Sequence, residues 1–81
     1  MTVIELMDLK VSSFSKTDRR IYEQIKKFPH QFAYNSISEI TEKGNLSKAA
    51  LSRFAKKLGF SGYMEFQYQF CQELKENSIS E

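Results

Sequence analysis

Three times in the first 40 residues a hydroxyl side chain stands three positions ahead of a carboxylate: Thr2 before Glu5, Ser15 before Asp18, and Ser36 before Glu39. At that spacing the hydroxyl accepts from a free amide in the first turn of a helix, while the carboxylate reaches back to the amide of the capping residue. Each pair therefore marks a helix start. The chain carries one proline, three glycines and no run of β-branched residues, so little in it resists helix or supports a sheet. The fold class that follows is all-α, a bundle of five to six helices.

Residues that stop helices set the boundaries. The first helix opens at Thr2 and carries Val3, Ile4, Leu6, Met7, Leu9 and Val11, an apolar set too broad for one stripe. The second opens after Ser15 and is expected to bury Ile21, Ile25 and Phe28, spaced i, i+4, i+7. Pro29 ends it, because a residue before proline is driven out of the α region. His30 to Tyr34 has room for one helical turn, anchored by Phe32. The next helix opens at Ser36, turns Ile37 and Ile40 inward, and ends at Gly44 and Asn45, two residue types that accept positive φ. Leu46 then acts as an apolar plug, and Ser47 caps a helix from Lys48 to Leu58 that Gly59 closes in the left-handed conformation. Ser61 is expected to cap a last helix reaching about Glu76. Residues 1–76 read as one domain, and the polar stretch 77–81 as the start of a linker or a frayed tail.

Eighty-one residues suffice for one core but not for a core plus a roomy catalytic cleft. With 41% hydrophobic and 14% aromatic residues, that core needs neither metal nor disulfide. Cys71 is the sole cysteine, so no intramolecular disulfide can form, and a reducing cytoplasm is the expected compartment. No run approaches the roughly 20 apolar residues that cross a bilayer, and Glu5 and Asp8 interrupt any signal-like start. No membrane partner is expected. The chain shows no nucleophile triad, no paired carboxylates in a pocket, no phosphate-cradling glycine loop and no metal-ligand spacing. It is read as a non-enzyme with no catalytic residue, no cofactor and no metal. His30 has no second ligand near it in sequence, and Cys71 among aromatics reads as a small buried hydrophobe.

Charge is distributed unevenly. Residues 12–35 hold five cations against Asp18 and Glu23, and residues 36–58 hold five against Glu39 and Glu42, so each segment is +3. Residues 59–81 have Lys75 against four glutamates, a net −3, and residues 1–11 add −1. A basic middle between acidic ends suits a domain that offers one face to a polyanion.

At 100° per residue the Lys48–Leu58 helix divides in two. Ala50, Leu51, Phe54, Ala55 and Leu58 fall on one arc and are expected to bury. Lys48, Ala49, Ser52, Arg53, Lys56 and Lys57 fall on the other, which is small or cationic throughout and lacks a carboxylate. A helix entering the major groove needs little bulk near its N-terminus, donors for base edges and cations for phosphates. Its first amides and the Ser47 hydroxyl can also hold a phosphate. A solvated basic face has the same composition, so the context decides. A short helix, the tight turn Gly44-Asn45-Leu46 and a two-faced helix make a helix-turn-helix unit. The alternative is a helical protein-interaction module whose basic face takes an acidic partner.

Three stretches carry a family resemblance: Phe14 to Ile21, Ser36 to Ile40, and Leu46 to Tyr63. The most specific block is Arg53-Phe54, Lys56-Lys57-Leu58-Gly59-Phe60 and Gly62-Tyr63. Over roughly Leu6 to Leu74 the chain resembles the N-terminal, homeodomain-like helix-turn-helix domain of RpiR-type bacterial transcriptional regulators. The resemblance implies a factor that binds double-stranded operator DNA as a dimer and controls sugar-phosphate or amino-sugar metabolism. It implies base reading by Ser47, Lys48, Ala49, Ser52 and Arg53, with Lys56 toward the backbone. It also implies a sugar-phosphate effector acting only through a further domain absent from this chain. Two positions depart from the family pattern: Thr41 stands where alanine is usual at the helix crossing, and Asn45 where glycine is usual in the turn.

The last helix carries two adjacent apolar stripes, one of Tyr63, Phe66, Phe70 and Leu74, the other of Met64, Tyr68 and Cys71. One stripe suffices for a core. The second, with the broad first helix, is read as a homodimer interface pairing Leu6, Leu9, Tyr68 and Cys71; packing of the two helices within one chain is the competing reading. Phe60 and Tyr63 are expected in the core rather than stacking on bases.

Overall fold

The computed structural model describes residues 1–79. Six α-helices follow one another: α1 (Val3–Lys10), α2 (Lys16–Lys27), α3 (Pro29–Tyr34), α4 (Ile37–Gly44), α5 (Lys48–Lys57) and α6 (Tyr63–Ile79). A 3-10 turn, Val11–Ser13, follows α1, and no strand occurs among the described residues. No described helix is long and apolar enough to cross a membrane.

All three capping boxes form in both directions. In the second, the Asp18 amide donates to Ser15 Oγ at 3.1 Å and the Ser15 amide donates to Asp18 Oδ2 at 3.0 Å. The expected stops also form. Pro29 occupies the first turn of α3, where its missing N–H costs nothing. Asn45 takes the left-handed conformation after α4 (φ 53°, ψ 47°), and Gly59 has φ +104° after α5.

The structure corrects four details. Phe28 is 42% exposed rather than buried. It is the C-cap of α2, with φ −129° and ψ 62°, so its side chain leaves the helical stripe; Phe32, 2% exposed, fills the core instead. Gly44 is the last helical residue and does not supply positive φ. A Cβ there would lie 2.6 Å from Gln24 Oε1 and 3.2 Å from Leu46 Cδ1, both ends of flexible side chains that would have to shift. The last helix opens at Tyr63, and among the described residues the Ser61 hydroxyl makes no capping bond. Its amide donates to Glu65 Oε1 at 2.7 Å, so a carboxylate from inside α6 organises that start. Finally, α6 runs through Ile79 rather than ending near Glu76, and residues 80–81 of the expected tail lie outside the described residues.

Aromatic rings link the helices through the core. Phe54 of α5 is fully buried, with Phe14 at 5.2 Å and Phe66 at 6.3 Å between ring centroids. Phe66 in turn meets Phe60, Tyr63 and Phe70 at 5.4–5.7 Å, within the range where tilted and edge-on rings attract. Tyr63 is thus a core residue, as expected, and Phe60 is half-buried against the core rather than within it. Tyr63 Oη donates to Phe32 O at 2.7 Å, and Gln67 Nε2 donates to Asn35 O at 2.7 Å. These bonds satisfy carbonyls at the end of α3, which at six residues could not hold itself together.

The end helices pack on each other within the chain. Val3 and Met7 of α1 are buried, and the Val3 amide donates to Glu73 Oε1 of α6 at 2.8 Å. Leu9, Met64 and Tyr68 remain outside this contact, each 67% exposed.

Truncating Phe54 to Ala removes the ring that joins α5 to α6, at an expected cost of about 3–5 kcal/mol. A domain of this size has a total stability of about 5–15 kcal/mol, so this is a large fraction of the whole, and the urea midpoint of Phe54→Ala should fall well below that of the wild type. A loss under about 1 kcal/mol would contradict this placement of the ring.

Candidate nucleic-acid interface

The α4–turn–α5 unit is held by backbone closure at both of its exits. The Leu46 amide donates to Thr41 O at 2.9 Å, and the Phe60 amide donates to Ala55 O at 3.0 Å. Each is the six-to-one bond that ends a helix through a left-handed residue. Thr41 is accommodated without an unpaired hydroxyl, since its Oγ1 donates to Ser38 O at 2.9 Å on its own helix. Asparagine is one of the few side chains that enters the left-handed region readily, so Asn45 fits where the turn needs it.

Ser47 is the N-cap of α5, its Oγ accepting from the Ala50 amide at 3.0 Å. The hydroxyl hydrogen remains free to donate outward. The amides of Lys48 and Ala49 are the open donors of the first turn, at the positive end of the helix dipole.

The face division expected from spacing is the one observed. Ala50, Leu51, Phe54, Ala55 and Leu58 are buried. Ser47, Lys48, Ala49, Arg53, Lys56 and Lys57 are exposed, and Ser52 is half-buried between the two arcs. The outer face of α5 therefore offers two small residues near its start and cations along its length, with no carboxylate of its own. Among the described residues the ion pairs are Lys26 with Asp8, at 3.6 Å, and Lys57 with Asp18. Lys48, Arg53 and Lys56 are in neither.

Lys57 differs from the other cations of the arc. Its ammonium donates to Asp18 Oδ2, so much of its charge is neutralised within the fold. Asp18 is 6% exposed and already serves in the Ser15 capping box. Burial pushes its carboxyl up, but the bond from Lys57 and the bonds with Ser15 outweigh burial and hold it below the ordinary value. One carboxylate thus caps α2 and anchors the far end of α5. The cap was readable from spacing; the second role was not, because Asp18 and Lys57 are 39 positions apart.

The other singled-out residues lie off this surface or in the interior. His30 is exposed and stacks on Tyr34 at 5.9 Å. Cys71 is half-buried with a free thiol. Burial raises the pKa of Tyr63, in keeping with a core phenol.

Comparison with known proteins agrees with this geometry. The model of a helix-turn-helix domain of the rpiR family matches residues 1–77. An uncharacterised HTH-type transcriptional regulator of Clostridium perfringens is 30% identical over 74 residues, covering 91% of this chain and 26% of that protein. The HTH-type transcriptional regulator HexR of Pseudomonas aeruginosa is 28% identical over 72 residues, covering 89% and 25%. GlvR of Bacillus subtilis, also an HTH-type transcriptional regulator, is 31% identical over 67 residues, covering 83% and 26%. The chain spans about a quarter of the length of these curated relatives.

The Asp18–Lys57 pair generates a pH dependence. A carboxyl whose folded pKa lies below its unfolded value stabilises the fold above the unfolded pKa, near 3.9, and this contribution is lost as pH falls through the folded pKa. The melting temperature should therefore drop on acidification below about pH 4, and Asp18→Asn should flatten that limb while lowering stability at pH 7. Melting curves of the two proteins from pH 2 to 7 measure it; superimposable acid limbs would remove the role assigned to Asp18.

Proposed function

The chain belongs to the rpiR family of helix-turn-helix domains, and on that footing we propose that residues 1–76 bind operator DNA sequence-specifically with α5 in the major groove. The observation that carries this reading is the outer arc of α5: unpaired cations and small side chains, no carboxylate, and an open helix N-terminus at one end. In this reading Lys48, Ala49, Ser52 and Arg53 face base edges, while Ser47 and Lys56 hold phosphates. Lys57 acts mainly through Asp18, setting the angle at which α5 is presented. An acidic protein partner is not favoured, since the basic arc sits on the second helix of a helix-turn-helix unit of this family.

The regulator acts in the cytoplasm, as a homodimer, on genes of sugar-phosphate or amino-sugar metabolism. Its effector binds through a domain outside this chain, consistent with relatives about four times as long. Dimerisation through α1 and α6 is supported by Leu9 and Tyr68, apolar side chains that the α1–α6 contact leaves exposed, flanked by half-buried Leu6 and Cys71.

Selection of duplexes from a random pool should yield a palindrome, with half-sites spaced by the dimer. On the selected duplex, Arg53→Ala and Lys48→Ala should each cost about 1–3 kcal/mol, about five- to 150-fold in Kd, with circular dichroism unchanged. If neither variant changes affinity at moderate salt, α5 is not in the groove. In sedimentation the protein should be a dimer, and Leu9→Asp with Tyr68→Asp should give monomer. A wild-type monomer at high concentration, with and without duplex, would rule out the dimer.

A further inference from the structure

Beside the turn that leads into α5 lies an open cleft of about 410 Å³ between α2, α3 and α4. Its charged lining is Arg20, Lys27 and Lys43, and no carboxylate contributes to it. All three cations are exposed, and none is in an ion pair among the described residues. Arg20 Nη2 donates to Gly44 O at 3.1 Å, which uses one of its five N–H donors and holds the rest beside the turn. Lys27 is steadied over the Phe28 ring, 5.5 Å from its centroid, and that ring is itself exposed at the cleft. Asn45, another wall residue, is two positions before Ser47, the cap of α5.

We propose that this cleft is a second DNA contact, a phosphate-binding trough that seats the duplex backbone beside the groove entered by α5. The inference rests on the reading of α5 as the recognition helix and adds Arg20, Lys27 and Lys43 to the surface. Three unpaired cations brought together without an acid attract a polyanion, and proximity to the α5 N-terminus selects DNA as that polyanion. Phosphate contacts position a duplex without reading its sequence, so these residues set affinity and orientation rather than preference.

Salt dependence of duplex binding tests this. Lys27 and Lys43 are exposed and can be neutralised without touching the core, whereas Arg20 also braces Gly44. The double variant Lys27→Gln with Lys43→Gln should reduce the log–log salt slope by about 1.8, about 0.9 per phosphate lost. It should weaken the selected and a scrambled duplex by the same factor, with helicity unchanged. An unaltered slope in this variant, alongside a reduced slope in Lys56→Gln, overturns the cleft and leaves the recognition helix standing. Wild-type protein that binds no duplex overturns both readings. A free phosphorylated ligand is the other source of such a group. If amide resonances of Lys43 to Asn45 shift with inorganic phosphate but not with duplex at matched ionic strength, the cleft is not a DNA contact.

Discussion

Phe54 lies next to Arg53 in sequence and points the opposite way, its ring enclosed between Phe14 and Phe66. The α5 helix is 10 residues long, below the length at which an isolated helix holds together in water. It is a helix here because its inner face is buried, and Phe54 is the largest part of that face. The ring joins the segment before α2 to α6 through α5, and Phe66 extends the contact to Phe60, Tyr63 and Phe70. Orientation of the outer cations is therefore a consequence of aromatic packing one residue away.

Burial alone leaves a short helix free to roll or tilt slightly, and polar bonds from α2 limit both. Asp18, at the start of α2, takes the Lys57 ammonium at the end of α5. Arg20 and Gln24, two and six residues further on, reach Gly44 at the end of α4. One helix thus holds the helix-turn-helix unit at two points, the end of α4 and the end of α5. Neutralising Lys57 has a second effect: the uncompensated charge of α5 is concentrated in Lys48, Arg53 and Lys56. Arg20, Lys27 and Lys43 line the cleft beside the turn before it.

Helix starts and the two faces of α5 were legible because both are local. A hydroxyl three positions before a carboxylate acts on its own backbone, and a helix fixes which side chains share a side. Local cues mislead where they compete with something distant. Phe28 fitted the stripe of α2 by spacing, yet the proline that ends the helix also turns its ring outward. Gly44 suits positive φ by type, yet Asn45 is the residue that turns left-handed and Gly44 stays helical. Ser61 had the chemistry of a cap, and Glu65 made its hydroxyl unnecessary. Of the broad apolar surface on α1 and α6, part is spent within the chain, and only the packing of Val3, Met7 and Glu73 could reveal which part.

Taken alone, the chain's order of residues determined an all-helical fold, the position of the turn, and a carboxylate-free arc on the helix after it. Backbone capping and helical periodicity act within a few residues and need no partner. Tertiary structure decided which cations of that arc are free, which carbonyl Arg20 and Gln24 reach, and where the remaining positive charge collects. Those outcomes depend on side chains 20 to 39 positions apart meeting in space, as Gln24 meets Gly44 and Asp18 meets Lys57. No periodicity encodes such meetings; they exist only once the aromatic core has set the helices against one another.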